Sequence, residues 1–186
     1  MESETLYNEK RKQALITGAS RGIGAGMAIA LAKEGYDLIL VCRKSMERLN
    51  ALQKEIELTY GVICEAYQCD VSDPEEVEKL FSICKEVDVL INNAAIDLSN
   101  LFHLKNAKEF RRTLDVNVVG AFNCSKRVYR YMLDQEYGRI INIASTNGIN
   151  TYYPMCIDYD ASKAALISVT HNLAFEFAPY IHVNCI

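Results

Sequence analysis

The sequence predicts a doubly wound α/β fold, a three-layer sandwich in which helices cover both faces of a six-stranded parallel sheet. Three observations predict it. Short apolar runs alternate with longer helical patterns along the whole chain, as in repeated strand–helix–strand units. The runs are rich in Val, Ile and Leu without clean alternation, as strands buried on both faces should be. Five consecutive runs end in glycine or polar residues, and in such sheets ligands sit beyond the carboxyl ends of the strands. No repeat or Pro/Gly/Ser-rich linker divides residues 1–186, so the chain reads as one domain.

The elements follow in order. The first strand is "QALIT" (13–17). The helix after it takes Ile23, Met27, Ala30 and Leu31 as its apolar face and stops at Gly35. The second strand is "DLILVC" (37–42), and Ser45 stands where it can cap a helix with Leu49, Leu52 and Ile56 as its stripe. The third is "VICEAYQC" (62–69). "DPEE" (73–76) then places Asp at the cap, Pro at the first helical position and Glu at the third. Val77, Leu80, Phe81 and Cys84 continue at helical spacing. The remaining strands are "DVLIN" (88–92), "RIINIA" (139–144) and "IHVNCI" (181–186), with long helices over 106–135 and 157–177.

Composition narrows the function. A net charge of −4 leaves no basic footprint for nucleic acid. No apolar run reaches the ~18 residues of a membrane span, and "MESETLYNEK" has no apolar leader core. The seven cysteines form no C-x-x-C pair and are odd in number, so they read as reduced thiols in a cytoplasmic protein. The three histidines show no zinc spacing, and no metal is expected.

The strand ends carry the chemistry. "TGASRGIG", Thr17 to Gly24, puts three glycines between the first strand and the first helix. They let the backbone turn sharply and approach a ligand, while the helix start offers free N–H groups to a phosphate. The spacing is not that of a P-loop; it favours a dinucleotide. At the end of the second strand, a free ribose 2′-hydroxyl calls for an acid and a 2′-phosphate for arginine. Asp37 opens that strand at the wrong edge, whereas Arg43 closes it, with Arg21 in the glycine loop. The two arginines predict NADP(H) in preference to NAD(H). Asp70, "NNAA" (92–95) and Ser145 end the next three strands.

"DYDASKAAL" (158–166) places Tyr159 and Lys163 one helical turn apart on the same face. Taken alone, this pair is as readily an accident of a surface helix. Next to a dinucleotide site it suggests proton transfer: free tyrosine titrates near ~10, and a neighbouring positive charge would lower that value.

Taken in order, "TGASRGIG", "CDVSD", "NNAA", "LDVNVVGAF", "NIAS" and "YDASK" resemble the short-chain dehydrogenase/reductase family over nearly the whole chain. Within it they are similar to bacterial 3-oxoacyl-carrier-protein reductases and related sugar or polyol dehydrogenases. The resemblance implies a Rossmann-type fold and an NADP(H)-dependent exchange of hydride with a small ketone or secondary alcohol. It implies that Tyr159 is the acid/base, that Lys163 supports it and holds the nicotinamide ribose, and that Ser145 hydrogen-bonds the substrate oxygen. Asn117 would kink its helix and place a water linking Lys163 to solvent. Gly18, Ser20, Arg21, Gly22, Ile23, Gly24, Arg43, Asp70, Val71, Asn93 and Ala94, with Tyr159 and Lys163, would hold the cofactor. The rival is a regulator that binds a dinucleotide without catalysis.

Three departures stand out. Ala95 replaces a glycine usual in the family. Ser145 and Tyr159 lie one residue further apart than is commonest, with Tyr152, Tyr153 and Met155 of the intervening loop as candidate pocket residues. The family's substrate lid, final helix and final strand are not found within the 186 residues, so a truncated chain is expected. The two long helices carry Phe122, Val128, Tyr131, Met132, Leu173 and Phe177, more apolar surface than one sheet face needs. The family's usual two-fold contact through these helices implies a homodimer or homotetramer.

Overall fold

A computed structural model of the chain describes residues 10–150 and 152–186. The reading of the first nine residues and that of Thr151 fall outside the described residues. The strands are β1 (Gln13–Thr17), β2 (Asp37–Cys42), β3 (Cys64–Gln68), β4 (Val89–Asn92), β5 (Gly138–Asn142) and β6 (Ile181–Cys185). They form one sheet in the order β3-β2-β1-β4-β5-β6, and every neighbouring pair is parallel. The order reverses between β1 and β4, so the crevice where a ligand binds such a sheet opens there.

The helices are α1 (Gly22–Lys33), α2 (Met46–Tyr60), α3 (Pro74–Ile83), α4 (Ala107–Leu114), α5 (Gly120–Asp134) and α6 (Ile157–Phe177). Two apolar cores lie on the two faces of the sheet. One joins Ala14, Ile16, Leu38, Leu40 and Ile91 to Ala28 and Ala32 of α1 and Leu49, Leu52 and Ile56 of α2. The other joins Leu15, Ile39, Leu90 and Ile140 to Val77, Leu80 and Phe81 of α3, Cys124, Val128 and Met132 of α5, and Phe177 of α6. Cys42, Cys64, Cys69, Cys84 and Cys124 are buried free thiols. Among the described residues no helix is long and apolar enough to cross a membrane.

Several local expectations need correction. The fully buried residues of α1 are Gly24, Ala28 and Ala32; of the expected face, Met27 and Leu31 pack partly buried against the core, whereas Ile23 and Ala30 are exposed. The helix lies close against the sheet, and only small side chains fit beneath it. A Cβ on Gly24 would stand 2.6 Å from the carbonyl oxygen of Gly18. Ser45 occupies the cap position of α2 but makes no side-chain capping bond. Asp73 does cap α3, accepting from the backbone N–H groups of Glu75 and Glu76. The Glu76 carboxylate turns away from the cap and accepts from the Asp70 backbone N–H at 2.8 Å.

The long helix expected over 106–135 is present and continuous, but it carries a π turn at the place where a kink at Asn117 is expected. Asn106 and Glu109 close a capping box at the start of α4, and a π-helical turn, Asp115–Val119, separates α4 from α5. Asn117 sits in that turn, and its side chain bonds the backbone of Ile96 both ways: it accepts from the N–H at 2.8 Å and donates to the C=O at 2.9 Å. A side chain committed to another segment gives a local cause for the bulge.

Of the apolar residues assigned to an outer surface, Val128, Met132 and Phe177 belong to the core. Phe122 is half-exposed, and Phe175 of α6 is 90% exposed.

Candidate active site

The glycine loop joins β1 to α1 at the point where the sheet order reverses. Gly18 has φ +67 and lies so close to the β4 end that a Cβ there would meet the Ala94 Cα at 2.9 Å. Thr17 and Asn93 fasten this junction. The Thr17 hydroxyl accepts from the N–H groups of Asn93 and Ala94, each at 3.0 Å. The Asn93 amide donates to the carbonyls of Thr17 and Gly18 at 2.9 and 3.1 Å. Asn93 therefore shapes the loop as well as facing the cleft.

The loop borders a cleft of about 520 Å³ lined by Gly18, Ser20, Arg21, Gly22, Ile23, Gly24, Arg43, Asp70, Val71, Asn93 and Ala94, together with Val41, Cys42, Lys44, Ser45, Cys69, Ala95, Ile96 and Val116. Every cofactor residue read from the sequence lines it except Tyr159 and Lys163. Among the additional residues, Val116 comes from the π turn; it stands in "LDVNVVGAF", where the sequence singles out only Asn117. Ala95 is not among the described residues with positive φ, so its methyl group forces no strained backbone. Asp37 lies at the far edge of the sheet, paired in register with Gln13. Its carboxylate accepts from the Ile63 N–H at 2.8 Å.

Asp70 is the one carboxylate among the lining residues, and it is held tightly. One oxygen accepts from the Ser72 N–H at 3.1 Å and the Ser72 hydroxyl at 2.6 Å. The other accepts from Arg112 Nη2 at 2.7 Å and lies 3.6 Å from Arg43 Nη1. Burial pushes its pKa up, but the bonds from Ser72 and Arg112 outweigh that and hold it below the ordinary value.

The residues read from the sequence as a proton-transfer set lie just after β5 and in the first turns of α6. Lys163 is 3% exposed. Its ammonium lies 5.4 Å from the centre of the Tyr159 ring and donates to the Ile143 carbonyl at 2.6 Å. Burial pushes its pKa down to about 8. Burial pushes the Tyr159 phenol above its ordinary value; the Ser145 hydroxyl draws it back, while Asp97 and Asp160 add to the rise. The expectation that Lys163 lowers Tyr159 is thus not met by the protein groups alone, since desolvation of the half-buried phenol is the larger effect. Asn117 makes no direct bond to Lys163. Its amide donates to Ser162 Oγ at 3.0 Å, and that hydroxyl donates to the Tyr159 carbonyl at 2.7 Å. Asn117 joins Ile96 of the cleft to the first turns of α6.

The loop between Ser145 and α6 carries a left-handed residue. Met155 adopts φ +73, and its carbonyl accepts from the Asn100 N–H at 3.1 Å. Tyr152 and Tyr153, but not Met155, line a hollow of about 420 Å³ with Asn147, Ile149, Ile157 and Asp160. Beneath this turn lies a buried ion pair that sequence reading missed. Lys105 Nζ donates to Asp158 Oδ1 at 2.8 Å, their side chains 5% and 0% exposed. The Thr113 hydroxyl donates to Oδ2 at 2.6 Å, and Lys105 also donates to the Leu98 carbonyl. Burial pushes Asp158 up, but Lys105 and Thr113 hold it below the usual carboxylate value.

Comparison with known proteins returns the same outline. The short chain dehydrogenase family matches residues 12–186. The chain is 39% identical over 171 residues to the 3-oxoacyl-[acyl-carrier-protein] reductase FabG of Staphylococcus aureus strain Mu50, covering 90% of this chain and 69% of that protein. It is 37% identical over 169 residues to the 3-oxoacyl-[acyl-carrier-protein] reductase of a Synechocystis strain, covering 89% and 68%. Among solved structures, a short-chain dehydrogenase from Sphingobium yanoikuyae in complex with NADPH superposes with TM-score 0.86 at 31% identity, covering 94% of this chain and 69% of that one. An NAD+-bound xylitol dehydrogenase superposes with TM-score 0.85 at 35% identity, covering 94% and 68%.

Proposed function

The chain belongs to the short-chain dehydrogenase family, and from that membership we propose that it reduces a ketone to a secondary alcohol with NADPH, a 3-oxoacyl thioester being the substrate class its relatives favour. It is an oxidoreductase of a family that binds nicotinamide dinucleotides. The observation that carries the proposal is the meeting of Tyr159, Lys163 and Ser145 at the end of β5, joined through Asn117 to the cleft beside the glycine loop.

When bound, the nicotinamide supplies a hydride to the carbonyl carbon. Tyr159 gives its phenolic proton to the carbonyl oxygen, and Ser145 donates a hydrogen bond to that oxygen as charge develops on it. The phenol, held protonated by burial, is in the state that reduction requires. Lys163, buried with its ammonium near the ring, steadies the phenolate left behind and would hold the nicotinamide ribose. A non-catalytic binder would have no use for a buried lysine beside a half-buried phenol.

Arg21 and Arg43 line the cleft at the glycine loop and the β2 end, while Asp37 is bound at the opposite edge. This arrangement supports a 2′-phosphate over a 2′-hydroxyl. The structural neighbours include both an NADPH complex and an NAD+ complex, so the arginines carry the choice. The identity to 3-oxoacyl reductases supports the thioester. Exposed Phe122 and Phe175 on α5 and α6 support pairing of two copies through these helices, to be read by light scattering.

The test is a panel of 3-oxoacyl thioesters, sugars, polyols and steroids, followed by loss of NADPH absorbance with the full-length protein. Thioesters should turn over fastest. Tyr159→Phe should lower turnover by at least ~10²-fold while NADPH binding survives. Ordinary turnover in Tyr159→Phe would overturn the mechanism.

A further inference from the structure

Two guanidinium groups compete for one carboxylate oxygen at the cleft. Arg43 lines the cleft and approaches Asp70 Oδ2 at 3.6 Å. Arg112, on α4 and not part of the lining, donates to the same oxygen at 2.7 Å. Its other nitrogen donates to Ser72 Oγ at 2.5 Å. The Asp70 carboxylate is fixed without Arg43, because Ser72 occupies Oδ1 and Glu76 holds the backbone N–H. The Arg43 backbone is pinned as well, its carbonyl accepting from Gln68 Nε2 at 2.9 Å. What remains free to move is the Arg43 side chain, held to Asp70 by the longest contact of the group.

We propose that Arg112 is a specificity-determining positioning residue: by taking the short bond to Asp70 Oδ2, it keeps Asp70 from capturing Arg43 and leaves Arg43 available to a cofactor 2′-phosphate. The inference rests on the proposed NADPH reading of the cleft. A carboxylate oxygen engaged by two guanidiniums offers each less than it offers one alone. Without Arg112, the whole Asp70 charge faces Arg43, and a 2′-phosphate must displace that pair before it can bind. A cofactor with a free 2′-hydroxyl makes no such demand. Arg112 therefore acts on the ratio of the two affinities from outside the pocket.

The experiment measures dissociation constants of NADPH and NADH by fluorescence titration of the full-length protein, in the wild type, Arg112→Gln, Asp70→Asn and the double variant. Arg112→Gln should weaken NADPH relative to NADH by about two- to fivefold, the range of a partly exposed ion pair. In the Asp70→Asn background the same change should leave the ratio where Asp70→Asn put it, since the carboxylate through which Arg112 acts is gone. Arg112→Met, which keeps the stem without the charge, carries the same expectation should Arg112→Gln fold poorly. An unchanged ratio in both Arg112 variants overturns the proposal. So does an equal drop with and without Asp70, which would make Arg112 a simple long-range charge. A wild-type ratio near one contradicts the NADPH reading alone; the change on removing Arg112 decides the role of Arg112 in either case.

Discussion

Replacing Lys105 with Met removes one partner of an ion pair that water does not reach, the side chains being 5% and 0% exposed. Asp158 keeps the Thr113 hydroxyl, at 2.6 Å, but no cation, and the Leu98 carbonyl loses its donor. Breaking a buried pair from one side costs about 3–5 kcal/mol, because the remaining charge is neither paired nor solvated. At a urea slope of about 2 kcal/mol per M, the unfolding midpoint at neutral pH should fall by about 1.5–2.5 M. The cost should also depend on pH with a sign opposite to that of the wild type. In the wild type the Asp158 pKa is depressed, so its stabilisation is present above the unfolded carboxylate value and is lost as pH falls through the folded one. In Lys105→Met the folded pKa is raised instead, so that deficit shrinks as pH falls towards ~4, where the carboxyl can fold protonated. Replacing both residues, Lys105→Met with Asp158→Leu, should recover most of the loss, as apolar substitution of a buried pair often does. Equilibrium urea unfolding at several pH values reads all three. A midpoint shift below about 0.5 M, or a deficit that does not change with pH, would refute the assignment of a buried, charged pair.

Lys163→Met should abolish turnover yet raise the thermal midpoint at neutral pH, because it removes a buried charge. Since burial lowers the Lys163 pKa to about 8 while the unfolded side chain titrates near ~10.4, the unfolded chain binds more protons between these values. The wild type should therefore gain stability relative to Lys163→Met as pH rises from about 8 to 10; parallel curves by calorimetry would count against this. Arg43→Asp should reverse or abolish the preference for NADPH in a binding titration, and retained preference would place the 2′-phosphate elsewhere. Met155→Gly, at φ +73, relieves a left-handed backbone of about 1–2 kcal/mol; a midpoint lower than that of the wild type would show that its side chain matters more than its backbone.

What the sequence disclosed, and what it withheld, divides by distance along the chain. β1, β2 and α6 have the bounds read from their apolar runs, and the cleft residues follow from knowing which residues end each strand. Local pattern fails where packing at close range decides. On α1 the bulkier Ile23 outranks Ala28 and Ala32 by hydrophobicity, yet it stands exposed, and the approach of the helix to the sheet selects the small ones. Contacts between distant positions were out of reach altogether. The π turn goes with a bond from Asn117 to a residue 21 positions away. Arg112 meets Asp70 across 42 positions and Lys105 meets Asp158 across 53, and neither cation differs in its local sequence from one solvated at the surface.

The fastening of the glycine loop by Thr17 and Asn93 bears on the thermodynamics of ligand capture. Because these side chains tie the loop to the β4 end with bonds between 2.9 and 3.1 Å, its N–H groups are already arrayed before a diphosphate arrives. Loop ordering, at ~1–2 kcal/mol per residue fixed, is settled during folding rather than at the moment of encounter. On the proposed reading, the affinity that remains can then be spent on the two ends of the dinucleotide, the adenine ribose proposed to decide which cofactor enters and the nicotinamide proposed to meet Tyr159.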